Sequence, residues 1–337
     1  MQAVVTGGAG FIGSHMVDLL VDRGWDVRVI DNLSTGRLQN LAQHRGNSHV
    51  NIFETDMVEV EAACPWFTGA DYVFHFGGIG DIVPSIERPL DYMRANVTGT
   101  LAVLEAARYA KVKKFVYAAS SSCYGSAPRI PTPEDAPIIS EYPYALAKYL
   151  GECAVVHWGR VYGLPVISLR IFNAYGPRSR TNGVYGAVFG VFLAQKLNGC
   201  PFTVVGDGSQ TRDFVYVTDV ARAFLLAAES EYTQEIFNVG AGAPQSVNRL
   251  VELLGGDVVY VPKRPGEPDC TWADTRKIRE RLRWLPLVSF EDGVANMLRS
   301  IEYWSDAPVW TPEAIEAATQ VWFKYLGREG AVERHGA

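Results

Sequence analysis

With 337 residues, 48% of them hydrophobic and 20% charged, the chain is long enough for a substantial core and has the composition of a globular protein of one or two domains. A formal net charge of −6, with lysines and arginines scattered rather than clustered, offers no surface to nucleic acid or to an anionic membrane. The five cysteines, Cys64, Cys123, Cys153, Cys200 and Cys270, form no CxxC pair, which argues against a metal or disulfide framework and fits a reducing compartment. The first residues enter a strand directly and no apolar run is long enough for a membrane span, so a cytoplasmic protein is expected.

Residues 3–6 read as a strand that enters a turn with Gly7, Gly10 and Gly13 at three-residue spacing, followed by a helix over 11–20. A side chain at Gly7 or Gly10 would obstruct the turn or the approach of a phosphate. The first-turn N–H groups of Phe11, Ile12 and Gly13, with the helix dipole, favour a pyrophosphate. A second strand, 27–30, closes on Asp31, whose carboxylate is placed to accept hydrogen bonds from an adenosine ribose. That acid would repel a ribose phosphate, so NAD is expected rather than NADP, with nearby Arg37 the one feature pulling the other way. Strand, glycine turn, helix and acid together make a dinucleotide site.

Strands over 49–53 and 71–76 follow, and the alternation with helices predicts an α/β, Rossmann-type doubly wound parallel sheet. Two readings fit Asp56: contact with an adenine amine, or a cap on the following turn. Gly77, Gly78 and Gly80 either make a turn or allow a second close approach to the cofactor. Residues 90–110 read as one long helix with Met93, Val97, Leu101 and Leu104 on one face and Arg94 and Asn96 also on it. A fifth strand, 115–118, opens into Ser120, Ser121 and Ser122, where such sheets place their chemistry, although three hydroxyls also suit a turn cap. Tyr144 and Lys148, one helical turn apart, share a face. A neighbouring ammonium and a positive nicotinamide favour phenolate, so that Tyr144 takes a proton from a sugar hydroxyl as hydride leaves carbon, with Ser120 holding the reacting oxygen.

After a sixth strand over 166–172 the rhythm changes to longer loops and shorter elements, which suggests a smaller α/β substrate domain. The expected division is a cofactor domain over 1–172, rejoined at about 214–240, and a substrate domain over 173–213 and 241–330. Residues 201–208 and 210–217 frame Arg212 and Asp213; Thr218 is the expected cap of a helix to 228 with Asp219 in its first turn. Residues 236–239 read as a strand of the main sheet, and Gln245 as the start of another helix. Arg264 and Glu267 stand in a Pro/Gly-rich loop, either as an exposed charged turn or as phosphate and ribose contacts. Ala314, Ala317, Val321 and Tyr325 recur at helical spacing near Trp310, Trp322 and Phe323, as in an amphipathic helix packed on the body.

These residues together resemble the extended short-chain dehydrogenase/reductase family, in particular its nucleotide-sugar epimerases and dehydratases. The resemblance runs from Gly7 to about Trp284 and rests on GGAGFIG, DNLSTG from Asp31, NVTGT from Asn96, SSSCYG from Ser120, YALAK from Tyr144, RIFNAYGPR from Arg170, TRDFVYVTD from Thr211 and RPGEPD from Arg264. It implies tightly bound NAD, regenerated in each cycle, with Asn32, Ser34, Gly36, Met57 and Lys148 among its contacts beside the glycine turn, Asp31 and Asp56. It implies Ser120, Tyr144 and Lys148 as the catalytic group, a nucleotide-diphosphate sugar as substrate with Asn173, Arg212 and Arg264 on the diphosphate, and Glu267 near the ribose. It also implies a homodimer through helices 90–110 and 142–162, and a structural or water-binding role for Asn96.

The reaction type turns on Ser121 and Ser122. Dehydratases of the family carry an Asp-Glu pair there, and decarboxylases keep the glutamate; serine replaces neither as acid or base at neutral pH. The expected activity is therefore 4-epimerisation of UDP-glucose and UDP-galactose or of UDP-glucuronate, with Ser121 and Ser122 holding a sugar carboxylate in the latter case and Arg178 or Arg180 assisting. A 4,6-dehydratase, a decarboxylase, a 4-keto reductase and an NAD-binding scaffold or sensor stand as alternatives. Gly77 and Gly78 replace small residues that are often alanine in the family, a departure expected to reshape the sugar pocket.

Overall fold

Apolar runs such as AVVT in the first strand and KFVYAAS in the fifth are buried on both faces, as strands of a helix-covered parallel sheet must be. The computed structural model describes residues 1–179 and 187–327. In chain order the first half comprises β1 (Gln2–Thr6), α1 (Phe11–Asp22), β2 (Asp26–Asp31), β3 (Val50–Glu54), β4 (Tyr72–His75), α2 (Ile82–Glu87), α3 (Pro89–Met93), α4 (Gly99–Ala110), β5 (Lys114–Ser120), α5 (Pro143–Tyr162) and β6 (Val166–Ile171). The second half adds β7 (Asn173–Tyr175), α6 (Val188–Leu197), β8 (Phe202–Val205), β9 (Thr211–Arg212), β10 (Phe214–Tyr216), α7 (Val217–Glu229), β11 (Glu235–Val239), β12 (Gln245–Ser246), α8 (Val247–Leu254), β13 (Val258–Val261), α9 (Arg276–Leu282), α10 (Phe290–Arg299) and α11 (Pro312–Leu326).

Seven strands form one parallel sheet in the order β3-β2-β1-β4-β5-β6-β11. The order reverses between β1 and β4, and a crevice opens there above the carboxyl ends of the strands. The fold is thus α/β and Rossmann-type. The smaller second part is built from three two-stranded pairs, β7 with β10, β8 with β13 and β9 with β12, around an aromatic core that includes Phe189, Phe192, Phe202 and Trp304.

Four local expectations are corrected. The long helix over 90–110 is interrupted by a π turn, Arg94–Thr98, between α3 and α4. The extra residue rotates the helix face, so the buried stripe is Tyr92, Asn96, Thr100, Val103, Leu104 and Ala107, while Met93, Val97 and Leu101 are only half-buried. Helix α7 starts at Val217 after an uncapped Tyr216, and Thr218 is exposed within it. Its first-turn Asp219 instead accepts the backbone N–H groups of Leu287 and Val288, each at 3.0 Å, and fixes a distant loop. Gln245 lies in β12, and Ser246 caps α8 by accepting the Arg249 N–H at 3.0 Å. Helix α11 buries Ile315, Thr319 and Trp322, one residue out of phase with the apolar stripe read from sequence, because its seat is α2 and the loop carrying Pro265. No helix among the described residues is long and apolar enough to cross a membrane.

Candidate active site

The glycine turn between β1 and α1 is fixed by sterics. Gly7 has φ +67°, and a Cβ there would stand 2.8 Å from the Gly77 nitrogen; a Cβ on Gly13 would stand 2.2 Å from the Gly7 carbonyl oxygen. Gly10 caps α1, whose first turn carries no acidic side chain, so its unpaired N–H groups and dipole face the cleft without competition. The cleft, about 760 Å³, is lined by the predicted Gly7, Gly10, Phe11, Ile12, Gly13, Asp31, Asn32, Ser34, Asp56, Met57 and Lys148. Asp31 accepts the N–H groups of Ala9 and Leu33, each at 2.9 Å, and burial pushes its carboxyl above the usual range. Gly36 does not line the cleft; a Cβ there would fall 2.8 Å from the Asp31 carboxylate, so it makes room for that acid. A turn no side chain could enter, leading to a helix N-terminus, and an acid at the end of β2 fit a dinucleotide. Arg37 packs its guanidinium over the Tyr303 ring, 6.0 Å from the centroid.

Asp56 combines its two readings: it caps the following turn by accepting the Val58 N–H at 3.1 Å, and it still lines the cleft. Gly77, Gly78 and Gly80 all line the cleft, and the first two also make room for neighbouring side chains. A Cβ on Gly77 would meet the Met57 sulfur at 2.5 Å, and one on Gly78, at φ +151°, would meet Asn96 Oδ1 at 2.3 Å. They are small to admit Met57 and Asn96, and Asn96 in turn pins the Ile79 N–H and carbonyl at 2.9 and 3.0 Å.

At the end of β5, Ser120 donates to Ser122 Oγ at 2.9 Å and accepts the Ser122 N–H at 3.2 Å; Ser121 and Ser122 begin a short 3₁₀ turn. Helix α5 brings Tyr144 and Lys148 to the same cleft as Ser120. Close packing allows this approach: a Cβ on Gly151 would stand 2.3 Å from the Tyr117 hydroxyl of β5. Burial pushes the Tyr144 phenol above its ordinary value, and the neighbouring Ser120 hydroxyl opposes that. Burial also lowers Lys148 to about 8, against the pull of Glu152, and its ammonium lies over the Tyr117 ring. Glu152 is itself buried on Arg170, at 2.6 Å, and accepts from Ser168 at 2.8 Å; Arg170 continues to the Tyr124 hydroxyl at 2.8 Å, which donates to Asn238 at 2.8 Å. This filled polar network underlies the helix that carries Lys148.

The charged residues expected on the nucleotide side also converge. Glu267 accepts from Arg212 at 2.9 Å and from Arg264 at 2.8 Å, and Asn173 accepts from Thr271 at 2.7 Å. Arg178 stands apart from them. It lines the cleft and pairs with Asp18 of α1 at 2.7 Å, on the side of the glycine turn. Arg180 lies outside the described residues.

Two aromatic residues near the site, Tyr142 and Trp322, had no site role in the sequence reading. Tyr142 stacks parallel to Tyr144, with ring centroids 6.5 Å apart, and Trp322 of α11 packs on Tyr142 at 6.1 Å while donating to the Pro265 carbonyl at 2.7 Å. A tyrosine at the N-cap of α5, a position that favours small polar residues, was the available signal for the first. Nothing local marks Trp322, whose partners lie far away in sequence.

Comparison with known proteins agrees with this geometry. The pattern of the NAD dependent epimerase/dehydratase family matches residues 3–240. The chain is 35% identical to a putative UDP-glucose 4-epimerase of Methanocaldococcus jannaschii, over 88% of this chain and 96% of that one. The chain belongs to the NAD dependent epimerase/dehydratase family. Another member, UDP-glucuronic acid decarboxylase 1 of Arabidopsis thaliana, is 32% identical over 88% of this chain and 69% of that one. Among solved structures, the UDP-glucuronic acid 4-epimerase of Bacillus cereus in complex with UDP-glucuronic acid and NAD superposes with a TM-score of 0.83 at 30% identity, over 90% of this chain and 99% of that one. Family membership accounts for the dinucleotide cleft; the named relatives differ in reaction.

Proposed function

We propose that the chain is an NAD-dependent 4-epimerase of a nucleotide-activated hexose, acting on UDP-glucose and UDP-galactose or on UDP-glucuronate. The observation that carries this reading is Ser120 in one cleft with Tyr144 and Lys148, followed in the turn after β5 by Ser121 and Ser122, which offer hydroxyls and no carboxylate. Bound nicotinamide supplies the hydride acceptor and donor that oxidise C4 to a ketone and reduce it again. Tyr144 takes the C4 hydroxyl proton and returns it, Lys148 supplies the positive field, and Ser120 holds the reacting oxygen. Asn173, Arg212 and Arg264 hold the diphosphate, Glu267 the ribose, and Ser121 and Ser122 a sugar carboxylate. Arg178, paired with Asp18 of α1, serves the cleft from the cofactor side.

The cofactor part spans 1–172 and about 214–240, and the substrate part the remainder. A homodimer through helices 90–110 and 142–162 is supported by large apolar side chains left exposed there, among them Leu90, Leu146, Leu150 and Val161. Incubating the purified protein with UDP-, GDP-, CDP- and dTDP-hexoses and hexuronates, followed by NMR of the anomeric protons, tests the reading. Interconversion of C4 epimers without added NADH is expected. A 4-keto-6-deoxy product, released carbon dioxide or stoichiometric NADH consumption would replace it with a dehydratase, a decarboxylase or a reductase.

A further inference from the structure

The stretch between α10 and α11 reaches back to the segment that follows β2. Tyr303, in a 3₁₀ turn over Ile301–Trp304, donates its hydroxyl to Asn40 Oδ1 at 2.9 Å, a contact across 263 positions of the chain. Asn40 is buried and passes the contact on: its Nδ2 donates to the Ala9 carbonyl at 2.9 Å, and the Ala9 N–H donates to the Asp31 carboxylate at 2.9 Å. The Arg37 N–H reaches the same Ala9 carbonyl at 2.9 Å, and the Arg37 guanidinium lies over the Tyr303 ring. One line of hydrogen bonds thus runs from the second part of the chain into the glycine turn and ends on the acid of β2. Its outer end is firmly seated, because the next residue, Trp304, is fully buried in the aromatic core of that part and meets the Tyr303 ring edge-on at 5.2 Å. Asp31, Arg37, Asn40, Tyr303 and Ala307 all line the cleft.

We infer that Tyr303 is a cofactor-retaining residue, which clamps the adenosine half of the dinucleotide between the Asp31 loop and the segment from Tyr303 to Ala307. The inference rests on the NAD of the proposed function as the occupant of the cleft. The glycine turn and Asp31 both belong to one edge of the crevice, and a ligand gripped from one edge alone can leave by the other. Tyr303 comes from the opposite edge. By holding Asn40 it also holds the Ala9 peptide, and through it the orientation of the Asp31 carboxylate that meets the ribose. Removing the Tyr303 proton leaves the buried Asn40 Oδ1 without that donor, a cost that a neutral hydrogen bond alone understates. The dinucleotide leaves past this contact, so the strength of the contact enters its release rate.

The test follows the exchange of protein-bound NAD against an excess of deuterium-labelled NAD, read by mass spectrometry of the bound fraction. Tyr303→Phe keeps the ring and its packing on Trp304 and removes only the hydroxyl. It should speed release by roughly three- to tenfold, the worth of one hydrogen bond. Asn40→Ala should do at least as much, because it also frees the Ala9 carbonyl, and adding Tyr303→Phe to it should change release no further. Thermal melts separate retention from packing: a contact that merely joins two parts lowers the melts of NAD-free and NAD-loaded protein alike, whereas the clamp narrows the gap between them. Unchanged release by Tyr303→Phe, an unchanged gap, or effects of the two substitutions that multiply would overturn the inference. Exchange requires no turnover, so a protein that converts no nucleotide sugar refutes the proposed reaction while the release rates still decide the role of Tyr303. A wild-type protein that holds no NAD overturns both.

Discussion

On the cofactor side of the cleft the contacts come from main chain and missing side chains: a turn closed to any Cβ at Gly7 and Gly13, a helix N-terminus, and one acid held by two backbone N–H groups. Away from that turn three charged side chains, Arg212 of β9 with Arg264 and Glu267 of one loop, satisfy one another. The first arrangement is rigid and suits a group that stays bound. Under the proposed function the second would exchange partners each time a diphosphate enters, because arginines engaged by Glu267 would turn to phosphate oxygens. Under that proposed function the difference would suit a catalyst that keeps its cofactor and releases its sugar nucleotide.

Substitutions should separate the two sides. Gly13→Ala drives a methyl into a main-chain oxygen that no rotamer relieves, so a cost of about 3 kcal/mol or more and protein without retained NAD are expected in thermal melts and cofactor assays. Normal NAD content would break the distinction at its rigid end. Tyr144→Phe, at the junction, should lower turnover by about 10² to 10⁴ with cofactor content unchanged. Arg212→Ala should raise KM for the nucleotide sugar by roughly 10- to 100-fold and leave NAD binding alone, as expected for a lost charge-assisted hydrogen bond.

Lys148 gives a pH signature. Burial lowers it to about 8, so it carries its proton below that pH and loses it as pH rises through it. Activity that depends on its ammonium should fall on the alkaline side near 8, and Lys148→Met should abolish that limb along with most of the rate. Burial brings His15 to about 4 and His75 to about 3, so neither titrates in this range. Trp322→Ala should have the smallest effect, about two- to fivefold in KM, corresponding to the cation–π contact with Arg264.

The same contrast explains what was legible in the sequence. Gly7 to Gly13 and Asp31 are separated by few residues, and their requirements are steric and local, so the string of residues states them almost completely. Tyr144 and Lys148 are one helical turn apart and equally readable. The union of Arg212 with Glu267 joins residues 55 apart in sequence, and Trp322 reaches Tyr142 across most of the chain, so their meeting is a property of tertiary packing. The missing side chains of Gly77 and Gly78 are legible, whereas no local pattern says that Met57 and Asn96 fill the space beside these cleft-lining glycines. The π turn at Arg94–Thr98 was invisible for a similar reason: Asn96 stabilises it by binding Ile79 on a different element.

The position of α11 at the end of the chain carries a consequence for biosynthesis. All seven strands of the main sheet have been made once Val239 is polymerised, whereas the helix that lies on α2 and Tyr142 is made last. At about 5–20 residues per second, the roughly 90 residues that follow take on the order of 4–18 s to emerge. During that interval the strands that carry the cleft are present, while its lining from Tyr303 to Trp310 is still to come. A nascent chain thus presents its glycine turn before Tyr303 arrives to pack on Arg37 and Trp322 to pack on Tyr142.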